Sequence, residues 1–208
     1  YKLLADPERA KVYAWFFKTG KGQYAQGDKF IGVVVPHTNK IAKKYFQQTT
    51  LPGVLKLLKS KIHEHRLCAL KILVNKFNFA SDKKEKRILF KFYLNNLGYI
   101  NNWDLVDASA HYIVGAYLYE YENKNFMLLR KLAKSNNLWK KRIAIIACAY
   151  FINKKSSQEI LTIAEIVKHD QHDLIQKALG WMLREVFKRI NEKEVRNFLK
   201  LNIKTLPR

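Results

Sequence analysis

The stretch Asp173-Leu-Ile-Gln-Lys-Ala-Leu-Gly-Trp-Met-Leu-Arg-Glu-Val-Phe-Lys188 has the periodicity of an amphipathic helix. Its apolar residues recur every three or four positions, as Ile175, Ala178, Leu179, Met182 and Val186. On a helix this spacing places them on one face, which we expect to pack into a core. The stretch therefore predicts a long helix, and it suggests an all-α protein.

The composition of the whole chain favours the same class. The chain has 208 residues, of which 48% are hydrophobic, so it is long enough to bury a core. It has only 8 glycines and 4 prolines, which favours helices over a turn-rich β architecture. We therefore predict an all-α fold with a single domain over residues 1–208.

A weak internal repeat supports a regular arrangement of helices. The segments that begin at Glu64, Trp103, Trp139 and Asp173 each place an alanine five residues later, at intervals of 39, 36 and 34 residues. Units of this length hold two amphipathic helices in HEAT-type solenoids, because neither helix can cover its apolar face without the next pair. The repeat therefore predicts stacked helix pairs.

Helix boundaries can also be predicted from the sequence. Side chains suited to N-caps precede three helices, at Asn101-Asn102, at Ser135-Asn136-Asn137 and at His172-Asp173. Residues 19–28 predict the one long loop, and the run 33–36 leads from it into a helix that begins near His37. The glycines in this loop match no phosphate-binding pattern, so a plain loop is the better interpretation.

The charge indicates a polyanionic partner. Lys and Arg number 39 against 17 Asp and Glu, which gives a net charge of +22. Nucleic acid is the most frequent partner of such a protein, and an anionic membrane surface or a ribosomal partner is less favoured.

Cys68 and Cys148 lie in apolar helical runs, which predicts buried free thiols and a reducing cytoplasm. No apolar stretch approaches the length of a membrane span, and no signal peptide is recognisable at Tyr1–Ala10, so we expect no membrane association.

The polar face of the 173–188 helix contains a tryptophan among cations. Lys177, Trp181, Arg184 and Lys188 share one side of that helix. Core packing is the ordinary role of a tryptophan, but the cationic stripe favours contact with a sugar or base while the cations hold phosphates.

The segment Asn101-Asn-Trp-Asp-Leu-Val-Asp107 places two carboxylates near a second tryptophan. Asp104 lies in the first helical turn, where stabilisation by the helix dipole would be enough to explain it. Asp107 lies one turn beyond Trp103, on the same face. A carboxylate there repels phosphates unless it meets developing positive charge, which suggests a catalytic role. A salt bridge to a lysine is the alternative.

The run Leu138-Trp-Lys-Lys-Arg142 forms a basic entrance to the apolar helix that follows it. An arginine at a helix start can clamp a phosphate with two hydrogen bonds, or it can pair with an acid such as Asp107. Lys141 is a candidate DNA-binding residue, and Lys21 and Lys29 are two more in the basic loop.

The six histidines form no metal-binding pattern, and no nucleophile or kinase motif occurs, so we predict neither a metal nor another cofactor.

Several motifs, taken in order, closely resemble the AlkD-type DNA alkylation repair family. They are Phe16-Phe-Lys-Thr-Gly-Lys-Gly, Gly27-Asp-Lys-Phe-Ile-Gly, Asn102-Trp-Asp-Leu-Val-Asp107, Leu138-Trp-Lys-Lys-Arg-Ile-Ala144 and Lys177-Ala-Leu-Gly-Trp-Met-Leu-Arg-Glu185. The resemblance spans nearly the whole chain. It implies a right-handed solenoid of HEAT-like antiparallel helix pairs, whose concave basic face holds duplex DNA.

The resemblance also implies an activity and assigns residues to it. The family hydrolyses the glycosidic bond of cationic N3- and N7-alkylpurines in base excision repair, and its catalytic carboxylate matches Asp107. Trp103 and Trp181 match the tryptophans that pack on the deoxyribose of the lesion, and Arg142 matches the basic partner near the DNA backbone. We therefore expect a monomeric, cytoplasmic, nucleoid-associated alkylpurine DNA glycosylase.

Two other functions remain as alternatives to the glycosylase, and the chain differs from the family at its C-terminal end. A HEAT-like protein that binds nucleic acid without catalysis is the main alternative, and a protein-binding scaffold is a weaker one because it would need a strongly acidic partner. Relatives in the family continue into a further helix beyond the position of Thr205-Leu-Pro-Arg208, so we expect this C-terminal cap to be missing.

Overall fold

The computed structural model of the protein describes residues 2–122 and 126–207. These residues form α-helices that are joined by turns and by one longer loop over residues 17–34, with single 3₁₀ turns at Lys2–Leu4 and Leu97–Tyr99. Within the described ranges no β-strand forms, and Lys29 and Ile62 make an isolated parallel bridge. The all-α prediction is therefore confirmed.

The chain divides into two compact units, of which the first ends at Ser109. Its helices are α1 (Pro7–Phe16), α2 (Val35–Tyr45), α3 (Leu51–Leu58), α4 (His63–Phe79), α5 (Lys83–Asn95) and α6 (Trp103–Asp107). Helix α4 is the centre of this unit, because α2, α3, α5 and α6 all pack against it. Most of its residues are buried, and they include Leu70 and Leu73, which are fully enclosed. A helix buried on nearly every side has no solvent face to set its periodicity.

The second unit begins at Ala110. It contains a π-helical turn (His111–Gly115), α7 (Ala116–Tyr121), α8 (Met127–Ala133), α9 (Leu138–Asn153), α10 (Gln158–Val167), α11 (Asp173–Arg189) and α12 (Glu192–Asn202). Helix α9 is the centre here, and its residues 143–148 are fully buried. Gly115 lies so close to the Ala147 carbonyl that a Cβ would collide with it, which explains the glycine at this crossing. The single domain over residues 1–208 and its solenoid arrangement stay predictions.

The predicted N-caps are confirmed. The side chain of Asn102 accepts the Trp103 N–H, and the Asn137 side chain accepts two N–H groups of α9. His172 caps α11 through its ring nitrogen. The helix expected near His37 begins slightly earlier, at Val35, with a proline in its first turn.

The burial of the cysteines is also confirmed. Cys68 and Cys148 are buried, each inside a central helix of its own unit. None of the helices in the described residues is long and apolar enough to cross a membrane.

Candidate active site

Helix α6 is a five-residue helix that presents Trp103 at one end and Asp107 at the other. Its middle residues, Leu105 and Val106, are fully buried. Trp103 and Asp107 are half-buried, so each is partly enclosed by protein and partly open to solvent. The arrangement brings together an aromatic ring and a carboxylate one helical turn apart, as the sequence predicts.

Trp103 is held by aromatic rings from α1 and the residue after it. Its ring stacks on that of Phe17, with centroids 5.2 Å apart and an angle of 9° between the planes. Phe16 approaches the Trp103 ring edge-on at 6.0 Å, and Phe30 stacks on the other side of Phe17 at 4.9 Å. Such contacts restrict the orientation of a ring as well as burying it. The motif Phe16-Phe17 was recognised in the sequence, but nothing there shows that it packs on Trp103.

Asp104 has a partner that helix stabilisation alone does not predict. Its Oδ2 lies 2.7 Å from Nε2 of His63, at the start of α4, while its Oδ1 accepts the Leu105 N–H at 2.8 Å. The other ring nitrogen of His63 lies 3.1 Å from Oδ2 of Asp28. The His63 ring therefore bridges the loop before α2 to α6. The hypothesis that Asp104 only stabilises its own helix end is incomplete.

Two further donors converge on the same oxygen of Asp28. The Arg66 guanidinium donates to it at 2.6 Å, and the side-chain amide of Asn102 donates at 3.4 Å. His63 and Arg66 are buried on α4, and Asn102 is the buried N-cap of α6. We refer to Asp28, His63, Arg66, Asn102 and Asp104 as the buried ionic cluster.

The cluster shifts the pKa values of His63 and Asp28. Burial by itself would lower the pKa of His63, but the carboxylates of Asp104 and Asp28 outweigh burial and the nearby Arg66, and they raise that pKa to about 9. Burial would raise the pKa of Asp28, but hydrogen bonds and charge from His63 and Arg66 hold it below its usual range. At neutral pH the cluster therefore has two cations and two carboxylates.

A carboxylate on α4 holds the neighbouring loop. Glu64 is buried, and its Oε1 accepts the N–H groups of Ile31, Gly32 and Val33 at 3.0, 2.8 and 3.3 Å. Gly32 has a φ of +78°, and a Cβ there would collide with the Asp6 carbonyl at the start of α1. The loop is therefore attached to α4 both at Asp28 and at residues 31–33.

A largely apolar cavity of about 390 Å³ lies beside this cluster in the first unit. Phe16, Phe17 and Phe30 form part of its wall, and His63 and Asp104 contribute its polar groups. The cavity therefore shares residues with both the aromatic support of Trp103 and the buried ionic cluster.

Asp107 lies close to a buried phenol. The Tyr93 hydroxyl lies 3.0 Å from that of Ser109, and both residues are fully buried. Burial, and secondarily the negative charge of Asp107, raises the pKa of Tyr93 well above its usual range. The carboxylate of Asp107 is therefore within electrostatic reach of a neutral phenol.

Helix α11 has the two faces that the sequence predicts. Ile175, Ala178, Leu179, Met182 and Val186 are buried. Trp181 is 39% exposed, and the three cations on its side, Lys177, Arg184 and Lys188, are exposed as well. Lys177 pairs with Asp173 at 2.8 Å in the first turn of the helix.

Two of the basic residues at the start of α9 have partners within the protein. Arg142 is buried, and its guanidinium donates to the Leu174 carbonyl at 2.5 Å, in the first turn of α11. Lys141 pairs with Asp170 at 2.5 Å. In the first unit, Lys21 and Lys29 are exposed. Among these candidate DNA-binding residues, Arg142 is therefore buried, whereas Lys21 and Lys29 are exposed.

The sequence comparisons identify the family. A family model described as DNA alkylation repair enzyme matches residues 1–208. The chain belongs to the DNA alkylation repair enzyme family. No curated protein matches the sequence significantly. Membership in this family supports a role in DNA repair.

A solved structure shows the same fold. It is that of a predicted DNA alkylation repair enzyme from Enterococcus faecalis, with a TM-score of 0.71 over 94% of this chain and 89% of that chain. The two sequences are 17% identical, so the likeness concerns the fold alone. Together with the family model, it confirms the resemblance recognised in the motifs.

Proposed function

We propose that the protein is a DNA glycosylase that hydrolyses the N-glycosidic bond of positively charged N3- and N7-alkylated purines in duplex DNA. The main supporting observation is the geometry of α6, where a half-buried carboxylate follows a half-buried tryptophan by one helical turn. On a chain with a net charge of +22, a carboxylate at a DNA-binding site is unfavourable unless it meets a cation.

The chemistry needs such a carboxylate and little more. A cationic alkylpurine leaves without a general acid, so the main requirement is to stabilise the positive charge that develops on the deoxyribose. Asp107 would stabilise the oxocarbenium-like centre and orient the attacking water. Partial burial strengthens that interaction because fewer water molecules screen the carboxylate.

Trp103 and Trp181 are the aromatic residues that we assign to the deoxyribose of the lesion. The electron-rich faces of Trp103 and Trp181 favour a cation and exclude water from it. Trp103 is already oriented by its stack on Phe17. We propose no metal and no cofactor in this reaction.

The cations would hold the DNA backbone. Arg184 and Lys188 are exposed on the Trp181 side of α11, and Lys177 joins them with a local partner in Asp173. Lys21, Lys29 and Lys141 are assigned to the same role, with Lys141 exchanging Asp170 for a phosphate. Arg142, whose guanidinium is buried at the start of α9, would act near the lesion.

The central test is the release of 7-methylguanine from methylated duplex DNA at moderate salt. We expect release by the wild-type chain and a loss of about 100-fold or more in Asp107→Asn, which keeps the shape and removes the charge. Glu192→Gln is the matched control, since it removes the same charge from an exposed position on α12. Tight DNA binding without release by the wild type would establish the non-catalytic alternative.

A salt titration tests the contact between the cationic stripe and DNA. The loss of one phosphate contact makes the slope of log affinity against log salt shallower by about 0.9. Lys188→Gln should show this change, and Lys200→Gln, also exposed but on α12, should not. Duplex binding that does not depend on salt would instead favour a protein-binding scaffold.

A further inference from the structure

We propose that His63 is a positioning residue of the candidate active site: as a cation between Asp28 and Asp104, it fixes helix α6 and thereby places Trp103 and Asp107. The connection to catalysis rests on the proposed function. The effect of His63 on the position of α6 does not rest on the proposed function, and it can be measured separately.

Helix α6 cannot hold its position by itself. It has five residues, whereas isolated helices shorter than about 12 residues are marginal in water. Its own backbone ladder includes the bond from Val106 N–H to the Asn102 carbonyl at 3.2 Å and the bond from Ala108 N–H to the Asp104 carbonyl at 2.9 Å. Its place must therefore be set by contacts with the rest of the unit.

Polar contacts hold α6 at both its cap and its first turn, and both lead to His63. Asp104 bonds directly to His63, and the Asn102 cap bonds to Asp28, which is the other partner of His63. Without the His63 ring, the enclosed carboxylate of Asp28 and the partly exposed carboxylate of Asp104 would face a gap from opposite sides. Arg66 would then be the one remaining cation of the buried ionic cluster.

The geometry favours a cationic His63. Each ring nitrogen faces a carboxylate oxygen, at 2.7 Å for Asp104 and 3.1 Å for Asp28. Ionised carboxylates only accept hydrogen bonds, and a neutral imidazole has only one N–H to donate. Both contacts are satisfied at once when both nitrogens are protonated.

The His63 ring is also coupled to Trp103 through aromatic contacts. Its plane stacks on Phe30 with centroids 4.6 Å apart, and it contacts Phe17 at 5.1 Å. Phe17 in turn stacks on Trp103. A change in the His63 ring would therefore reach Trp103 through one intervening side chain.

The charge of His63 gives a direction for the dependence on pH. The groups that face it are Asp28 from the loop, Asp104 from α6 and Arg66 from its own helix. Its pKa is raised from 6.5 to about 9 on folding, so the stabilisation is complete below pH 6.5 and is lost as the pH rises through about 9. We expect the excision rate to fall above pH 9 while circular dichroism shows that the chain is still folded.

The decisive variants are His63→Gln, Asp104→Asn and their combination. Removing one partner leaves a buried charge without compensation, whereas replacing both can be nearly neutral. We expect His63→Gln to lower the single-turnover excision rate about 100-fold, the effect of a small displacement of catalytic groups. The double variant should recover at least about tenfold of that loss, with binding of undamaged duplex changed less than about threefold throughout.

Hydrogen exchange reports on α6 without any requirement for activity. In His63→Gln, the amides of α6 should exchange at least about tenfold faster relative to those of α9, since local opening is independent of the global transition. Lys168→Gln is the control, because it breaks the exposed contact of Lys168 with Glu165 and its partly buried contact with Asn202 in the other unit. It should not accelerate α6 selectively.

The outcomes separate the two proposals. Release by the wild type, with an unchanged rate and unchanged α6 exchange in His63→Gln, overturns the positioning role and leaves the glycosylase intact. No release by the wild type, with selective acceleration of α6 in His63→Gln, overturns the glycosylase and supports the positioning role. A double variant no faster than His63→Gln contradicts the charge pairing itself.

Discussion

Helices α6 and α11 both present a tryptophan beside charged residues, but they are held in place by different interactions. Helix α11 has 17 residues and a continuous buried face, so its own periodicity orients Trp181 towards solvent. Helix α6 has five residues, and the orientation of Trp103 depends on Phe17 and on the buried ionic cluster. The two tryptophans have similar candidate roles, but the orientation of Trp103 should be more sensitive than that of Trp181 to mutations elsewhere in the chain.

The largest expected effect is the loss of the aromatic support in the first unit. Phe17→Ala should lower the free energy of unfolding by about 3–5 kcal/mol, because it removes a buried ring that stacks on both Trp103 and Phe30. Urea denaturation measures this change. Trp181→Ala is the comparison, and it should change stability by less than about 1 kcal/mol because its ring is 39% exposed. Equal destabilisation by the two variants would show that the helices are held alike.

The two N-caps should differ in the same direction. Asn102→Ala should cost about 2 kcal/mol, at the upper end for a cap, since its buried amide also donates to Asp28. His172→Ala should cost about 0.5 kcal/mol, because this half-exposed side chain caps a helix that packing already stabilises. Thermal unfolding of the two variants measures the difference. A larger loss in His172→Ala would contradict the comparison.

The smallest expected effect is a gain in stability on α11. A Cβ added at Gly180 would meet no atom within 4 Å, and this position is exposed next to Trp181. Gly180→Ala should therefore raise the free energy of unfolding by about 0.5–1 kcal/mol through helix propensity. A lower melting temperature in this variant would show that the glycine is needed for a reason other than space.

Much of the fold could be predicted because its information is local. The periodicity of residues 173–188 correctly predicts which side of α11 is buried, and the side chains of Asn102, Asn137 and His172 correctly predict helix starts. The apolar surroundings of Cys68 likewise predict its burial. In each case, one helix or one turn contains all the residues that the inference requires.

The buried ionic cluster could not be predicted in this way. His63 and Asp104 are 41 residues apart, and Asp28 is 35 residues from His63, so no spacing within an element relates them. In the sequence, His63 is only one of six histidines that form no metal-binding pattern, and helix stabilisation is enough to explain Asp104. Their pairing depends on how α4 and α6 pack.

Composition and periodicity within single elements are enough to establish the helical class, the faces of the longer amphipathic helices and the large positive charge. The motifs in their order also indicate the family. Which charged residues are buried, and which partner each one has, depends on the packing of the chain. This packing joins Asp28, His63 and Asp104, and it encloses Arg142 against Leu174, because burial and pairing arise only when distant segments pack and water is excluded between them.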